Sequence, residues 1–402
     1  MKPINTSVAR PTCPLFSLPD ATMVPWISGL LLASRALAPA QPGLSNTTVA
    51  NVRARLIESA RASWELGAAA EALTELSWPA LSVFEPSAFP PPAYLNASLN
   101  ASDVLDIAVK TVSRKPAGSL PLIAGQGSAA DPASVGVAVL LANWTRPDPS
   151  ATVFAKAASG QLEHLLHRVP RSAQGAISHR QDEVQLWADY VYMVPPFIAY
   201  FGALQGGYGG RALLQVAYNQ CRLYRDALRD SSGLWRHITL GKWQDDSHWG
   251  TGNAWAAAGM LRVLQSLNHS SDARMFTEQQ ANLTEWIQEI TTTAWSYQKR
   301  DGGLFNVIDA PESFTDTSST ALLASVTYRM ATFTNDTTLI PAADKALAFI
   351  KRNIDNQGWL EGTVDPYTFH TPNSPGSHSP EGQAFVLLLH AAHSAWMKSL
   401  SN

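Results

Sequence analysis

The sequence is poor in charged residues and in cysteine. Of its 402 residues, 15% are charged and the formal net charge is −3, which argues against nucleic acid or an anionic membrane as the main partner. Of the two cysteines, Cys13 lies in a predicted leader, so the mature chain would keep Cys221 alone and fold without disulfides. The 46% of hydrophobic residues is ample for the core of one large or two medium domains.

The apolar segment nearest the N-terminus is short. The run VPWISGLLLA, at residues 24–33, has about ten residues, too few to cross a membrane but typical of a signal peptide. Lys2 and Arg10 precede it, and ASRALAPAQP, with small residues spaced for cleavage, follows it. We predict a targeting segment at residues 1–40 and a single domain at residues 41–402. Two alternatives stay open: translation begins at Met23, or the segment is an irregular N-terminal helix.

Export would expose the chain to glycosylation. Seven N-x-S/T sequons without an intervening proline lie beyond the predicted leader. They begin at Asn46, Asn96, Asn100, Asn143, Asn268, Asn282 and Asn335. The sequence therefore predicts a secreted, extracellular glycoprotein.

Two kinds of predicted helix alternate along the chain, with almost no strand signal. Amphipathic segments have apolar residues at three- and four-residue spacing with charges between them, at residues 48–62, 103–113, 161–169, 210–229, 272–298 and 340–354. Between them lie segments that are apolar almost all round, such as DPASVGVAVLLANW and GTGNAWAAAGMLRVL. Each of these opens on a small or polar residue and then is apolar almost all round, as a buried helix is.

The apolar helices recur with a nearly constant period. Steps of 66, 58, 64, 65 and 63 residues separate polar residues near their starts, which are Glu65, Asp131, Asp189, Asn253, Ser318 and Glu381. One outer and one inner helix per repeat gives six helical hairpins. We predict an all-α fold, an (α/α)6 barrel, with an open solenoid as the alternative. If the inner helices start at one rim, then Asp131, Asp189 and Glu381 face one cleft.

Five motifs, in this order, resemble a known group of enzymes. SHR, WADYVYM, GLWRH, WGTGNAWAAAG and SPEGQAF are similar to motifs of the six-hairpin glycosidases that act on unsaturated uronic acids. The resemblance is to the unsaturated rhamnogalacturonyl hydrolases of glycoside hydrolase family 105, which are related to the glucuronyl hydrolases of family 88. It extends over roughly residues 64–393.

The resemblance implies a role for several residues. The catalytic acid of the family stands in a W-x-D step, which implies Asp189 here, and a second aspartate implies Asp131 of DPASVG. The substrate-binding residues that it implies are His179, Trp187, His237, Trp249, Thr251 and Trp255. Thr251 marks a departure, because the family commonly has arginine in WGRGN, and arginine can hold a carboxylate through two hydrogen bonds whereas threonine cannot.

The activity that the resemblance implies is hydration of a double bond. Lyases leave a C4=C5 double bond in a terminal uronic acid; Asp189 would protonate C4, water would add at C5, and the resulting hemiketal would release the rest of the chain. We expect an oligosaccharide substrate from pectin-type (rhamnogalacturonan) digestion, no cofactor, no metal site and a monomer. The histidines include no HExxH motif or tight cluster.

Several alternatives stay open at this point. Asp189 could be only a helix N-cap, and Asp131, followed by Pro132, has the pattern of an N-cap with proline at the first helical position. The pair Asp245-Asp246 before an aromatic residue also occurs in α-mannan-cleaving (α/α)6 enzymes. Finally, the barrel could be a carbohydrate-binding protein that has lost catalysis, since a fold does not define a function.

Overall fold

Helices dominate the computed structural model, which describes residues 42–401; the predicted targeting segment and Cys13 lie outside these residues. The described residues form thirteen α-helices. They are α1 (Asn46–Ser59), α2 (Ser63–Ser77), α3 (Ser102–Arg114), α4 (Gly136–Trp144), α5 (Val153–His167), α6 (Tyr190–Met193), α7 (Pro195–Gln205), α8 (Gly207–Leu228), α9 (Gly250–His269), α10 (Thr277–Ser296), α11 (Thr317–Thr334), α12 (Ile340–Arg352) and α13 (Pro380–Ser399). Short 3-10 turns cover Pro79–Leu81, Asp131–Val135 and Ala273–Met275.

Six buried helical units form a closed inner ring. The units are α2, the Asp131–Val135 turn with α4, α6 with α7, α9, α11 and α13, and each packs against the next. The last helix, α13, packs back onto α2. Helices α1, α3, α5, α8, α10 and α12 pack on the outside of this ring. The closure confirms the predicted (α/α)6 barrel and rules out the open solenoid.

Residue size decides how closely the inner helices approach. In α9 every residue from Gly250 to Leu267 is buried. The sequence predicts this, because the segment is apolar almost all round. A Cβ on Gly259 would lie 2.1 Å from the carbonyl oxygen of Val191, so only glycine lets α9 rest against α6 there. Outside the ring, α3 buries one stripe, which includes Val104, Ala108 and Val112.

Four short strands, which the sequence pattern does not show, join the loops at one rim. Strand β1 (Gln185–Trp187) pairs antiparallel with β2 (Ile238–Leu240), with Trp187 opposite Ile238. Strand β3 (Leu304–Phe305) pairs with β4 (Thr315–Asp316) in the same way. Isolated bridges join Ser128 to Arg180 and Trp249 to Val307. These pairings fix the backbone just before the inner helices and bring their N-terminal ends to a shared rim.

Residues 42–401 include no helix that is both long and apolar enough to cross a membrane. Cys221 is a free, buried thiol of α8. The division of the chain at residue 40 into a targeting segment and one barrel domain stays a prediction.

Candidate active site

Two buried aspartates begin neighbouring units of the inner ring. Asp131 opens the 3-10 turn before α4, and its backbone N–H donates to Oγ of Ser128 at 3.0 Å. Asp189 follows β1 and precedes α6. Their exposed fractions are 8% and 9%, and neither side chain caps its helix. The N-cap alternative therefore fails for both residues, and another role has to compensate for the cost of burying two carboxyl groups.

Burial changes the acidity of this carboxyl pair, Asp131 and Asp189. Removal from water, followed by the nearby charge of Asp189, raises the pKa of Asp131 to about 7, against the lowering effects of Ser128 and Arg180. Near neutral pH Asp131 therefore holds a proton that it can give up, as a general acid must.

His237 lies beside Asp189 and is fully buried. Its Nε2 is 3.4 Å from Oδ2 of Asp189, and its Nδ1 is 2.9 Å from Oδ2 of Asp245. Burial by itself would lower the pKa of His237, but hydrogen bonds and charge interactions with the two aspartates outweigh this and raise the pKa above its ordinary value. The arrangement favours a positively charged imidazole between two carboxylates.

His179 has the opposite character. Its Nε2 is 3.6 Å from Oδ1 of Asp131, and its ring stacks on the indole of Trp187 with centroids 4.7 Å apart and planes at 9°. Burial, as the largest effect, lowers the pKa of His179 to about 4 despite the nearby charge of Asp189. This histidine is neutral at physiological pH, so it can orient Asp131 without adding a positive charge.

Aromatic rings form the wall beside the two histidines. Trp187 makes edge-to-face contacts with Trp243 at 5.4 Å and with Phe369 at 5.6 Å. Phe369 also contacts the rings of His237 and Trp249, at 4.8 and 5.4 Å. Trp243 is 46% exposed, so part of this aromatic wall faces solvent, while Trp249 is buried.

Thr251 and Trp255 are buried and contact other residues of the barrel. The Thr251 hydroxyl donates to Oδ2 of Asp316 at 2.9 Å, and Asp316 caps α11 by accepting from the backbone N–H groups of Ser318 and Ser319. The Trp255 ring packs inside the barrel against Tyr192 and Phe385. These contacts give both residues a structural role, and their binding of substrate stays a prediction.

The structure brings the other six predicted residues together. They are Asp131, Asp189, His179, Trp187, His237 and Trp249. Trp249 is buried, and its Nε1 donates to Oδ1 of Asn306 at 3.2 Å. Glu381, at the start of α13, is buried too, and burial followed by the charge of Glu65 raises its pKa to about 8.

Sequence reasoning missed part of the site. Trp243, Phe369 and His370 stand in loops without helical periodicity, and only the closed barrel brings residues 361–378 against the motif GLWRH. Phe369 has φ of +63°, the left-handed region that a bulky residue rarely occupies and that occurs at functional sites. In the part of the chain that the structure describes, no three His, Cys, Asp or Glu side chains form a group that could hold a metal ion.

The two adjacent aspartates Asp245 and Asp246 do not form a pair. Asp245 turns inward and contacts His237, whereas Asp246 lies at the surface, 3.3 Å from a guanidinium nitrogen of Arg236. Of the two, Asp245 alone contacts His237.

Comparison with known proteins is consistent with this geometry. The chain is 24% identical over 183 residues to the unsaturated rhamnogalacturonyl hydrolase YesR of Bacillus subtilis (strain 168), a match that covers 43% of this chain and about half (51%) of that protein. A possible member of the GH105 family from Klebsiella pneumoniae has the same fold, with a TM-score of 0.69, 17% identity and coverage of 94% of this chain and 100% of that one. A glycosyl hydrolase family 88 protein from Bacteroides vulgatus aligns with a TM-score of 0.63 at 14% identity, over 87% of this chain and 97% of the other.

A family match covers both aspartates and most of the barrel. Residues 100–387 match the family described as Glycosyl Hydrolase Family 88, a range that runs from just before α3 into α13. The order of the motifs, the closed six-hairpin barrel and this match lead to the same assignment. The chain belongs to glycosyl hydrolase family 88.

Proposed function

We propose that this protein is a secreted hydrolase that removes a terminal 4,5-unsaturated uronic acid from lyase-generated, pectin-type (rhamnogalacturonan) oligosaccharides. The observation that carries the proposal is the buried carboxyl pair, Asp131 and Asp189, at a rim lined by aromatic rings, where burial raises the pKa of Asp131 to about 7. Similarity to a rhamnogalacturonyl hydrolase favours the pectin-type substrate over other unsaturated uronides.

The reaction needs one group that first donates and then accepts a proton. Asp189, in its protonated form, donates to C4 of the double bond, and positive charge develops at C5 and the ring oxygen. Water adds at C5 and returns a proton to the Asp189 carboxylate, so the acid is restored within one turnover. The hemiketal then opens and releases the rest of the oligosaccharide, and the anomeric carbon is never attacked directly.

The neighbours of Asp189 stabilise its two states in turn. The imidazolium of His237, 3.4 Å away, stabilises the carboxylate that forms when the proton leaves. Burial raises the pKa of Asp131 to about 7, so this neighbour can carry a proton up to neutral pH. The aromatic wall excludes water, which strengthens both effects.

The carboxylate of the substrate requires a cation. Thr251 is bonded to Asp316 inside the barrel and cannot supply one. The guanidinium of Arg180 is half-buried beside Gly127, and its charge acts on both Asp131 and His179. We assign the grip on the uronate to Arg180, since a guanidinium binds a carboxylate through two parallel hydrogen bonds.

The proposal is tested by following the ultraviolet band of the conjugated double bond across a panel of lyase digests. Wild-type protein should remove the band from rhamnogalacturonan products faster than from other unsaturated uronides. Asp189→Asn should keep the fold, because the amide has nearly the same shape, yet lower turnover by ~10²-fold or more, because it cannot donate the proton. Binding of the digest without loss of the band would mean a carbohydrate-binding protein instead, and an Asp189→Asn variant that works at the wild-type rate would refute the assignment.

A further inference from the structure

Asp245 carries out no step in the reaction above, although its carboxylate is directed at the site. Its backbone exchanges two hydrogen bonds with Ile238, at 2.9 and 3.0 Å, and Oδ1 accepts from the N–H of Ser247 at 3.0 Å. These contacts hold both the backbone of Asp245 and one of its carboxylate oxygens in place. They leave Oδ2 as the atom that faces the site.

Two histidines share this Oδ2 atom. Nδ1 of His237 lies 2.9 Å from it on one side, and Nε2 of His370 lies 2.9 Å from it on the other. His237 is fully buried, whereas the His370 side chain is 46% exposed. Contacts of 2.9 Å to a carboxylate are the charge-assisted kind, about twice as strong as neutral hydrogen bonds.

The far side of His237 faces the reacting acid. Its Nε2 and Oδ2 of Asp189 are both buried, and neither has another hydrogen-bond partner among residues 42–401. An imidazole held at Nδ1 by a carboxylate has its other nitrogen in a set direction and tautomer, as in catalytic triads generally. Asp245 therefore determines where Nε2 points and whether it bears a proton.

The loop that carries His370 is itself anchored to the site. The carbonyl of Phe369 accepts from Nδ2 of Asn306 at 2.7 Å, and the Phe369 ring packs on His237. Asp365 and Thr371 pair across the loop through a backbone hydrogen bond of 2.9 Å. The loop thus has a fixed conformation that presents His370 to Asp245.

We propose that Asp245 is a positioning residue for the proposed hydration reaction: it holds the His237 ring so that Nε2 points toward Asp189. His370 weakens the hold of Asp245 on His237, because it shares the same carboxylate oxygen. The inference rests on the proposed function for its effect on turnover. Its geometric part concerns His237 alone and is testable without substrate.

Several charged and titratable groups surround His237 and affect its pKa. His237 faces Asp189, Asp245 and His179, while Asp131 and Arg180 act on the same cluster from the neighbouring unit. Removing the Asp245 charge leaves Asp189 as the carboxylate beside His237, so the pKa of His237 should fall. Removing His370 leaves Oδ2 of Asp245 to His237 alone, so the pKa should rise.

The experiment measures the imidazole titration of His237 by NMR in histidine-labelled protein, with the signal assigned by its loss in His237→Gln. Asp245→Asn should lower the pKa of His237 by about one unit or more, and His370→Ala should raise it. With an unsaturated disaccharide, Asp245→Asn should lower kcat about tenfold or more while KM changes less than about threefold, since the residue lies behind the histidine. Asp246→Asn is the matched control, because it removes the same charge one residue away at the surface.

Each outcome decides the proposal. An unchanged His237 titration in Asp245→Asn, or a change of the same size in Asp246→Asn, would overturn it. If Asp245→Asn does not fold, His370→Ala decides, because its exposed side chain can be removed without loss of core packing; a fall or no change in the His237 pKa there would overturn the inference. Wild-type protein that turns over no unsaturated uronide would refute the proposed function while the NMR shifts still test the role of Asp245.

Discussion

Replacing Asp131 by asparagine should make the protein more stable at high pH and less active. The folded-state pKa of Asp131 lies above the ordinary 3.8, at about 7, so the folded protein binds a proton that the unfolded chain does not. This contribution to stability is present in full below about pH 4 and is lost as the pH rises through about 7. The difference corresponds to about 4 kcal/mol, at ~1.36 kcal/mol for each pKa unit. Asparagine has no charge to bury, and its stability should not show this loss.

The assay is urea unfolding of wild type and Asp131→Asn at about pH 4 and about pH 9. Near pH 4 the carboxyl group is protonated in the folded wild type and partly protonated in the unfolded chain, so the two proteins should differ by less than about 1 kcal/mol, because an amide and a protonated carboxyl group have similar shape and hydrogen bonding. Near pH 9 the variant should be more stable by up to about 4 kcal/mol. Its turnover should fall by ~10²-fold if the two acids share the catalytic proton. A variant that is less stable at both pH values, or a difference that does not depend on pH, would refute the reasoning.

Three more predictions follow from the same contacts. Arg180→Gln should raise KM for an unsaturated uronide about tenfold with a smaller effect on kcat, because it removes the proposed carboxylate grip; equal KM values would exclude that role. Thr251→Val should lower the free energy of unfolding by about 1–3 kcal/mol, because buried Asp316 loses a donor, and leave KM unchanged; a large rise in KM would restore its predicted substrate role. Secreted protein should begin near residue 41 and carry glycans at the exposed sequons, which begin at Asn46, Asn96, Asn100 and Asn335. Intact mass of an unglycosylated chain that retains residues 24–38 would count against export.

The architecture was predictable because it depends on local information repeated along the chain. Six apolar segments about 60 residues apart, each opening on a polar residue, can bury their surfaces only by packing on one another. Asp131, Asp189 and His237 were identifiable because they stand in such segments or in motifs with a known order. The repeat also implies that the inner helices start at one rim, so these residues could be expected to lie close together.

What the chain alone could not specify are contacts between residues far apart in sequence. For Thr251 the sequence could not show that its hydroxyl donates to Asp316, 65 positions away. Nor could it show that the Trp255 ring packs inside the barrel against Phe385.

Residue type and period determined the barrel and its two acids, because helix periodicity is a property of neighbouring residues. The tertiary structure decided that the pKa of Asp131 is raised and which partners hold His237. Those properties depend on burial and on partners such as His370, which lies 125 residues from Asp245. Burial and long-range pairing arise only when the ring of helices closes, so the sequence pattern carries no sign of them.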